Sequence, residues 1–262
     1  MQSFHHAFLT TLLTGCASVA MDDTAPGRVE KTPAVAPGSL VAIPAGSYDM
    51  GCDAALHPEC NGDEAPVHPI QLSAFWIEAT EVTTAQWVAC EAAHACPPLD
   101  GDPSGADVAV GFVPYADAAA YCDWLGRRLP TEAEWERAAR GPQGGLYPWG
   151  DDVPDCDRAA SRTCDGGITV VATHPAGMSP EGVYDMAGNA WEWVSDGYNS
   201  DYYASSPPED PEMDDATAGL RTVRGVDGWS DLTALRATNR EKAIPDAVSP
   251  LVGFRCVSEV AP

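Results

Sequence analysis

The sequence predicts a domain of mixed short strands and short helices, poor in regular structure and stapled by disulfides. Three observations carry this. Eight of the nine cysteines lie between positions 52 and 256, an even number in which three pairs are close neighbours. Helical signatures occur only in short stretches. After Gly141 the chain is dense in Gly, Pro and Asp with isolated aromatics, and no regular element can be placed there.

In chain order, Val41-Ala42-Ile43 reads as a strand running into a turn at Pro44 to Ser47, with Tyr48 to Gly51 returning. His68 to Thr83 carries apolar residues in a broken alternation and reads as a strand leading into a helix at Thr83 or Thr84. Ala116 to Leu125 has apolar residues at helical spacing and is followed by Gly126, suited to the left-handed position after a helix end. Thr131-Glu132-Ala133-Glu134 is a capping box between Pro130 and a terminating Gly141. Glu132 and Glu134 stand where the positive end of the helix dipole favours carboxylates, so helix initiation explains them without catalysis.

Cys52/Cys60, Cys90/Cys96 and Cys156/Cys164 are close in sequence and leave Cys122 and Cys256 as a long-range pair. No C-x-x-C or paired histidines accompany them, so a zinc module is not indicated and an oxidising compartment is. The N-terminus agrees. Ala7 to Leu13 runs into Leu13-Thr14-Gly15-Cys16, a pattern like a bacterial lipoprotein cleavage box, although no Lys or Arg precedes it. The expected organisation is a signal peptide over 1–16 with Cys16 lipidated, a flexible tether over 17–38 and a single domain over 39–262, exported and tied to a bacterial envelope by lipid. Of 262 residues, 39 are Asp or Glu and 14 are Lys or Arg, a formal charge of −25. Such a surface repels phosphate backbones and argues against nucleic acid as a partner. No internal repeat is evident.

Four stretches resemble the sulfatase-modifying-factor family, whose best-known member is formylglycine-generating enzyme. They are Phe75-Trp76-Ile77 to Thr83, Tyr121-Cys122 through Arg128-Leu129-Pro130-Thr131-Glu132-Ala133-Glu134-Trp135-Glu136 to Pro148-Trp149-Gly150, Tyr184-Asp185-Met186-Ala187-Gly188-Asn189-Ala190-Trp191-Glu192-Trp193, and Gly253-Phe254-Arg255-Cys256. The resemblance implies an α+β, C-type-lectin-like fold and, again, a bond between Cys122 and Cys256. In the family, two cysteines separated by four residues bind copper, which activates dioxygen to oxidise a substrate cysteine; soft thiolates suit Cu(I). The corresponding window, Arg224 to Arg240, contains no cysteine, and counting back from Arg240 puts Leu232 and Ala237 at those positions. Copper is therefore not expected.

The same resemblance implies a structural calcium ion held by Asp185, Gly188, Ala190 and Glu192, two carboxylates bracketing two backbone carbonyls, with Trp191 and Trp193 turned into the core. The family's other calcium loop is in doubt, since the segment after Gly150 is short and closed by Cys156 and Cys164. His57, His68, His94 and His174 have no metal-ligand spacing and read as surface or hydrogen-bonded residues. Trp229, Ser230, Arg236, Asn239 and Arg240 would line a groove for a peptide or small-molecule ligand, unless the arginines pair internally with acids. The expected function is thus a family domain without formylglycine-generating activity that binds such a ligand. The alternative is a cysteine-independent oxidoreductase of the kind that matures siderophores. A true formylglycine generator ranks third.

Overall fold

The computed structural model describes residues 35–99, 101, 105–213 and 219–262, all within one compact unit. Cys16 and the expected signal peptide, with most of the expected tether, lie outside the described residues. Among the described residues no helix is long and apolar enough to cross a membrane.

Strands β1 (Leu40–Ile43), β2 (Gly46–Met50), β3 (His68–Leu72) and β4 (Phe75–Glu78) open the domain. The expected return of β2 along β1 does not occur: β2 pairs with β3 and β1 pairs with β4, both antiparallel. The single strand expected over 68–83 is two strands, broken at Ser73 and Ala74. Asp210 holds that break open by accepting from the Ser73 amide at 2.7 Å and its hydroxyl at 2.8 Å.

Helices α1 (Thr84–Ala92), α2 (Tyr115–Trp124) and α3 (Glu132–Arg140) follow. Thr83 and Thr131 cap α1 and α3, each with a complete capping box. Gly126 and Gly141 have φ of +69° and +64° just beyond α2 and α3, the positive values for which glycine carries no penalty.

The segment 142–190 lacks strands and α-helices, as expected, but the chain beyond it does not stay irregular. Strands β5 (Trp191–Gly197), β6 (Arg221–Arg224), β7 (Arg240–Ala243) and β8 (Val252–Phe254) form a sheet in the order β7-β6-β5-β8, and β9 (Val257–Ser258) joins β4. Apart from the seven-residue β5, these strands are too short to show an alternation. Only pairing across long sequence separations defines them.

Four apolar clusters fill the interior of the described residues, two of them large. Trp87, Tyr121, Trp193 and Phe254 centre one of them, with Trp87 stacked on Tyr121 at 5.7 Å. Trp135, Tyr203, Ile77 and Met186 centre the other. Disulfides join Cys52 to Cys60, Cys90 to Cys96, Cys122 to Cys256 and Cys156 to Cys164. The fully buried Cys122–Cys256 bond ties α2 to the turn between β8 and β9.

Against the cluster of Trp135, Tyr203 and Ala237 lies a buried ionic network. Glu132 and Glu136 are one turn apart on α3 and face Arg224, whose guanidinium donates to Glu132 Oε1 at 2.6 Å, Glu136 Oε2 at 2.7 Å and the Ala237 carbonyl at 2.7 Å. Arg240 forks onto both Glu132 oxygens at 2.6 and 2.8 Å, and Arg140 reaches Glu136 Oε1 at 2.6 Å. Burial alone would raise both carboxyls, but Arg240 and Arg224 beside Glu132, and Arg224 and Arg140 beside Glu136, outweigh it and hold both below the usual range. Removing one member of such a buried set leaves its partners charged and unpaired. Arg224→Met should therefore lower the unfolding free energy by about 3–5 kcal/mol, read as a shifted urea midpoint; a loss under about 1 kcal/mol would show that the network is not needed for stability.

Candidate functional site

The window from Arg224 to Arg240 begins at the end of β6, loops out and returns at the start of β7. Arg224 and Arg240 are register partners across the two strands. The outgoing turn lies against the loop before β5, where the Gly188 amide donates to the Gly225 carbonyl at 2.7 Å and the Gly228 amide to the Asn189 carbonyl at 2.8 Å. Val226 sits at φ +64°, a strained conformation for a β-branched residue, held by these bonds and by complete burial. Asp227 organises the tip: Oδ1 accepts from the Trp229 amide at 2.8 Å and the Ser230 hydroxyl at 3.1 Å, and Oδ2 from the Trp191 indole at 3.1 Å.

Of the five residues expected to line a ligand groove, only Trp229 borders the cleft of about 220 Å³ that Thr84, Phe112, Ile168, Pro250 and Leu251 also line, and it is 53% exposed. Arg236 is buried and donates to Glu64 Oε1 at 2.6 Å, while Thr238 donates to Glu64 Oε2 at 2.6 Å. Arg240 is buried on Glu132. Ser230 spends its hydroxyl on Asp227, and Asn239 donates to the Ala234 carbonyl at 3.0 Å. The two arginines are thus internal ion-pair partners, because in a chain with so many acids a buried carboxylate needs every nearby guanidinium.

Leu232 and Ala237, the positions matching the family's thiols, do not share a pocket. Leu232 packs beside Val226 and Leu235, whereas Ala237 belongs to the cluster around Trp135. Every cysteine among the described residues is disulfide-bonded. The one group of potential metal ligands that converges among them is Cys52, Cys60 and Glu64. It does not suit an ion, since its sulfurs are bonded to each other and both oxygens of Glu64 are hydrogen-bonded.

The expected calcium loop is built differently from an oxygen cage. Both oxygens of Glu192 accept from Arg255 at 2.7 Å, and Oε2 also from the Trp135 indole at 3.0 Å. Asp185 sits at φ +59° and accepts from the Ala172 amide at 2.6 Å. A dipositive ion on Glu192 would stand against the Arg255 guanidinium, so this donor set as arranged does not fit calcium. Trp193 is in the core as expected, but Trp191 is only partly buried and turns its indole to Asp227. Nearby, Glu81 Oε2 is buried without a hydrogen bond, 3.9 Å from the Arg255 guanidinium. Burial, and then the neighbouring Asp185, push the Glu81 carboxyl well above its ordinary range, and burial raises Asp185 too. His174 lies against Asp165 at 3.0 Å and His68 is 2.9 Å from the Ser206 hydroxyl, consistent with hydrogen-bonded roles.

Sequence reasoning missed Glu64, Phe112 and the cleft itself. Glu64 is 172 residues from Arg236, and nothing in local spacing signals that contact. Phe112 offered one trace, standing between Gly111 and Val113 in a stretch with no periodic pattern, at what proves to be φ +61°.

The model of a family described as the sulfatase-modifying factor enzyme 1-like domain matches residues 25–260. The formylglycine-generating enzyme of Streptomyces coelicolor is 32% identical over 294 aligned positions, covering 88% of this chain and 93% of its own length. A serine/threonine-protein kinase, pkn1 of Chlamydia pneumoniae, is 32% identical over 244 positions, and there the chain spans 38% of the relative's length. Among solved structures, PvdO from Pseudomonas aeruginosa superposes with a TM-score of 0.75 at 26% identity, covering 87% of this chain and all of that one.

Asp196 on β5 ties the start of α3 to the chain near Met213, its carboxylate accepting from the Glu132 amide at 2.7 Å and from the Met213 amide at 2.8 Å. Burial, and then the charge of Glu132, push it up to about 7. A carboxyl raised on folding costs nothing below its unfolded pKa near 4 and costs progressively more as pH climbs to its folded pKa, about 4 kcal/mol in full. The Asp196 side-chain carboxyl carbon should titrate near pH 7 by NMR, with stability falling between about pH 4 and 7 from this group. A midpoint below about 4.5 would refute it.

Proposed function

Because the chain belongs to the sulfatase-modifying factor enzyme 1-like family yet has no cysteine in its Arg224 to Arg240 window, we propose that it lacks formylglycine-generating activity and instead binds a peptide or small ligand in the cleft at Trp229. The observation that carries this reading is the content of that window. Leu232 and Ala237 offer no thiolate, and they pack in different clusters, so neither side chain can hold Cu(I) or exchange electrons with a substrate thiol. What the window retains is an exposed aromatic at the lip of a cleft, a feature suited to binding.

The reading includes a location. Leu13-Thr14-Gly15-Cys16 and the eight cysteines paired as disulfides support an exported chain carrying lipid on Cys16. On that reading Cys16→Ser should move the protein from the membrane to the soluble fraction of a cell lysate; an unchanged distribution would remove the anchor from the proposal.

Anaerobic Cu(I) competition titration of the oxidised protein, with a parallel thiol count, tests the central claim. No tight copper site is expected, and a cysteine-containing peptide incubated with the protein and copper should show no conversion to formylglycine by mass spectrometry. Stoichiometric tight binding or conversion would overturn the reading.

A further inference from the structure

Ser206 and His68 are not part of the cleft at Trp229, and they stand 2.9 Å apart, hydroxyl oxygen to Nε2. The other ring nitrogen of His68, Nδ1, is 2.9 Å from the Pro66 carbonyl oxygen. A carbonyl can only accept, so Nδ1 carries the hydrogen of the uncharged ring. Nε2 is left with its lone pair toward the Ser206 hydroxyl, which donates to it. A hydroxyl, a base and a group that orients the base thus form one chain, the arrangement that activates a serine for acyl transfer.

The fold holds both members in place. His68 opens β3, and the segment bearing Ser206 runs beside that strand: the Gln71 amide donates to the Pro208 carbonyl at 2.8 Å, and Gln71 and Glu209 form a parallel bridge. Ahead of Ser206, the Ser205 amide donates to the Tyr202 carbonyl at 2.9 Å. Pro207 and Pro208 stiffen the backbone between these anchors. The His68 ring packs tilted against that of buried Tyr203, centroids 5.1 Å apart. The Pro66 carbonyl can take its place because position 51 is a glycine at φ +98°: a Cβ there would stand 3.2 Å from that oxygen and 2.7 Å from the Glu64 carbonyl oxygen. Ser206 and His68 are both partly exposed, so a solute can reach the hydroxyl.

We propose that Ser206 is a nucleophile for acyl transfer from esters, with His68 as its general base. Ser206 Oγ attacks the ester carbonyl carbon while its proton passes to His68 Nε2. The bond from that carbon to the leaving oxygen breaks, and the leaving group takes the proton from Nε2. Water then attacks the acyl-serine and gives a proton to Nε2, and the bond to Oγ breaks as Oγ recovers that proton. Esters suit the site better than amides. An oxygen leaving group needs less proton donation than a nitrogen one, and a carbonyl beside Nδ1 stabilises the imidazolium less than a carboxylate would. The activity goes beyond the binding reading above and does not depend on it.

The test treats the full chain with a fluorophosphonate, from which a serine nucleophile displaces fluoride, and separately with p-nitrophenyl acetate and p-nitroacetanilide. Peptide mass spectrometry should find Ser206 phosphonylated at least about ten-fold faster than any other serine. Ser206→Ala should cut p-nitrophenol release at least about five-fold and leave the melting temperature unchanged, because the residue is partly exposed. His68→Ala should slow the labelling of Ser206 at least about ten-fold. Added imidazole should restore part of that loss, which a purely structural role of the ring would not allow. Labelling spread evenly over the serines, labelling undiminished in His68→Ala, p-nitrophenol release unchanged in Ser206→Ala, or hydrolysis of the anilide as fast as the ester would each overturn the inference. Should His68→Ala fail to fold, the preference of the wild-type chain for Ser206 decides.

Discussion

Two carboxylates on one face of a short helix govern the rest of this structure. Strands β6 and β7 pair so that Arg224 stands opposite Arg240, two like charges side by side in the interior. Such a pair is untenable alone. Glu132 and Glu136, spaced by one turn of α3, supply the opposite charges at 2.6 to 2.8 Å, and α3 is thereby locked to the sheet. Tyr203 lies within hydrogen-bonding distance of both acids and packs its ring 4.2 Å from the Arg240 guanidinium. The capping box that starts α3 also fixes which turn of the helix presents the acids.

The chemistry of the window between those arginines follows from this arrangement. A loop closed at both ends by internal ion pairs has its cations committed before any ligand arrives, and Arg236 is committed too, through Glu64. Without thiols and without free guanidiniums, what the window leaves accessible includes the aromatic Trp229 and Asp231, the latter paired with Arg162. The acidic composition of the chain and the burial of its arginines are then two sides of one constraint. The abundant carboxylates that enter the fold draw the scarce arginines inward with them.

A second buried ion pair performs the same service beside the first, on the same face of the sheet, since Glu192 is the register partner of Arg224 and Trp135 lies against both. Arg255 forks onto Glu192 and also donates to the carbonyls of Glu78 and Tyr184, while the Glu78 carboxylate accepts from Arg127 and from the Cys256 amide. The Cys122–Cys256 disulfide closes this region covalently, joining positions 134 residues apart and so removing much chain entropy from the unfolded state. The Asp185 to Glu192 loop is held by this pair and by packing around Trp193.

Local signals in the sequence were sufficient for the parts of the fold that local forces determine. Thr83 and Thr131 as caps, Gly126 and Gly141 as stops, and the disulfides between near neighbours depend on residues within a few positions of each other, and each is found where spacing placed it. The motif stretches likewise identified the family, because a long ordered match constrains the fold beyond any single contact. Tertiary structure decided the rest. That β2 pairs with β3 and β1 with β4 is set by tertiary packing, and strands β6 to β8 exist only through partners far along the chain. An arginine looks the same in sequence whether it faces a ligand or a buried glutamate. For Arg236 the difference lay in Glu64, 172 residues away, brought to 2.6 Å by packing that no local pattern encodes.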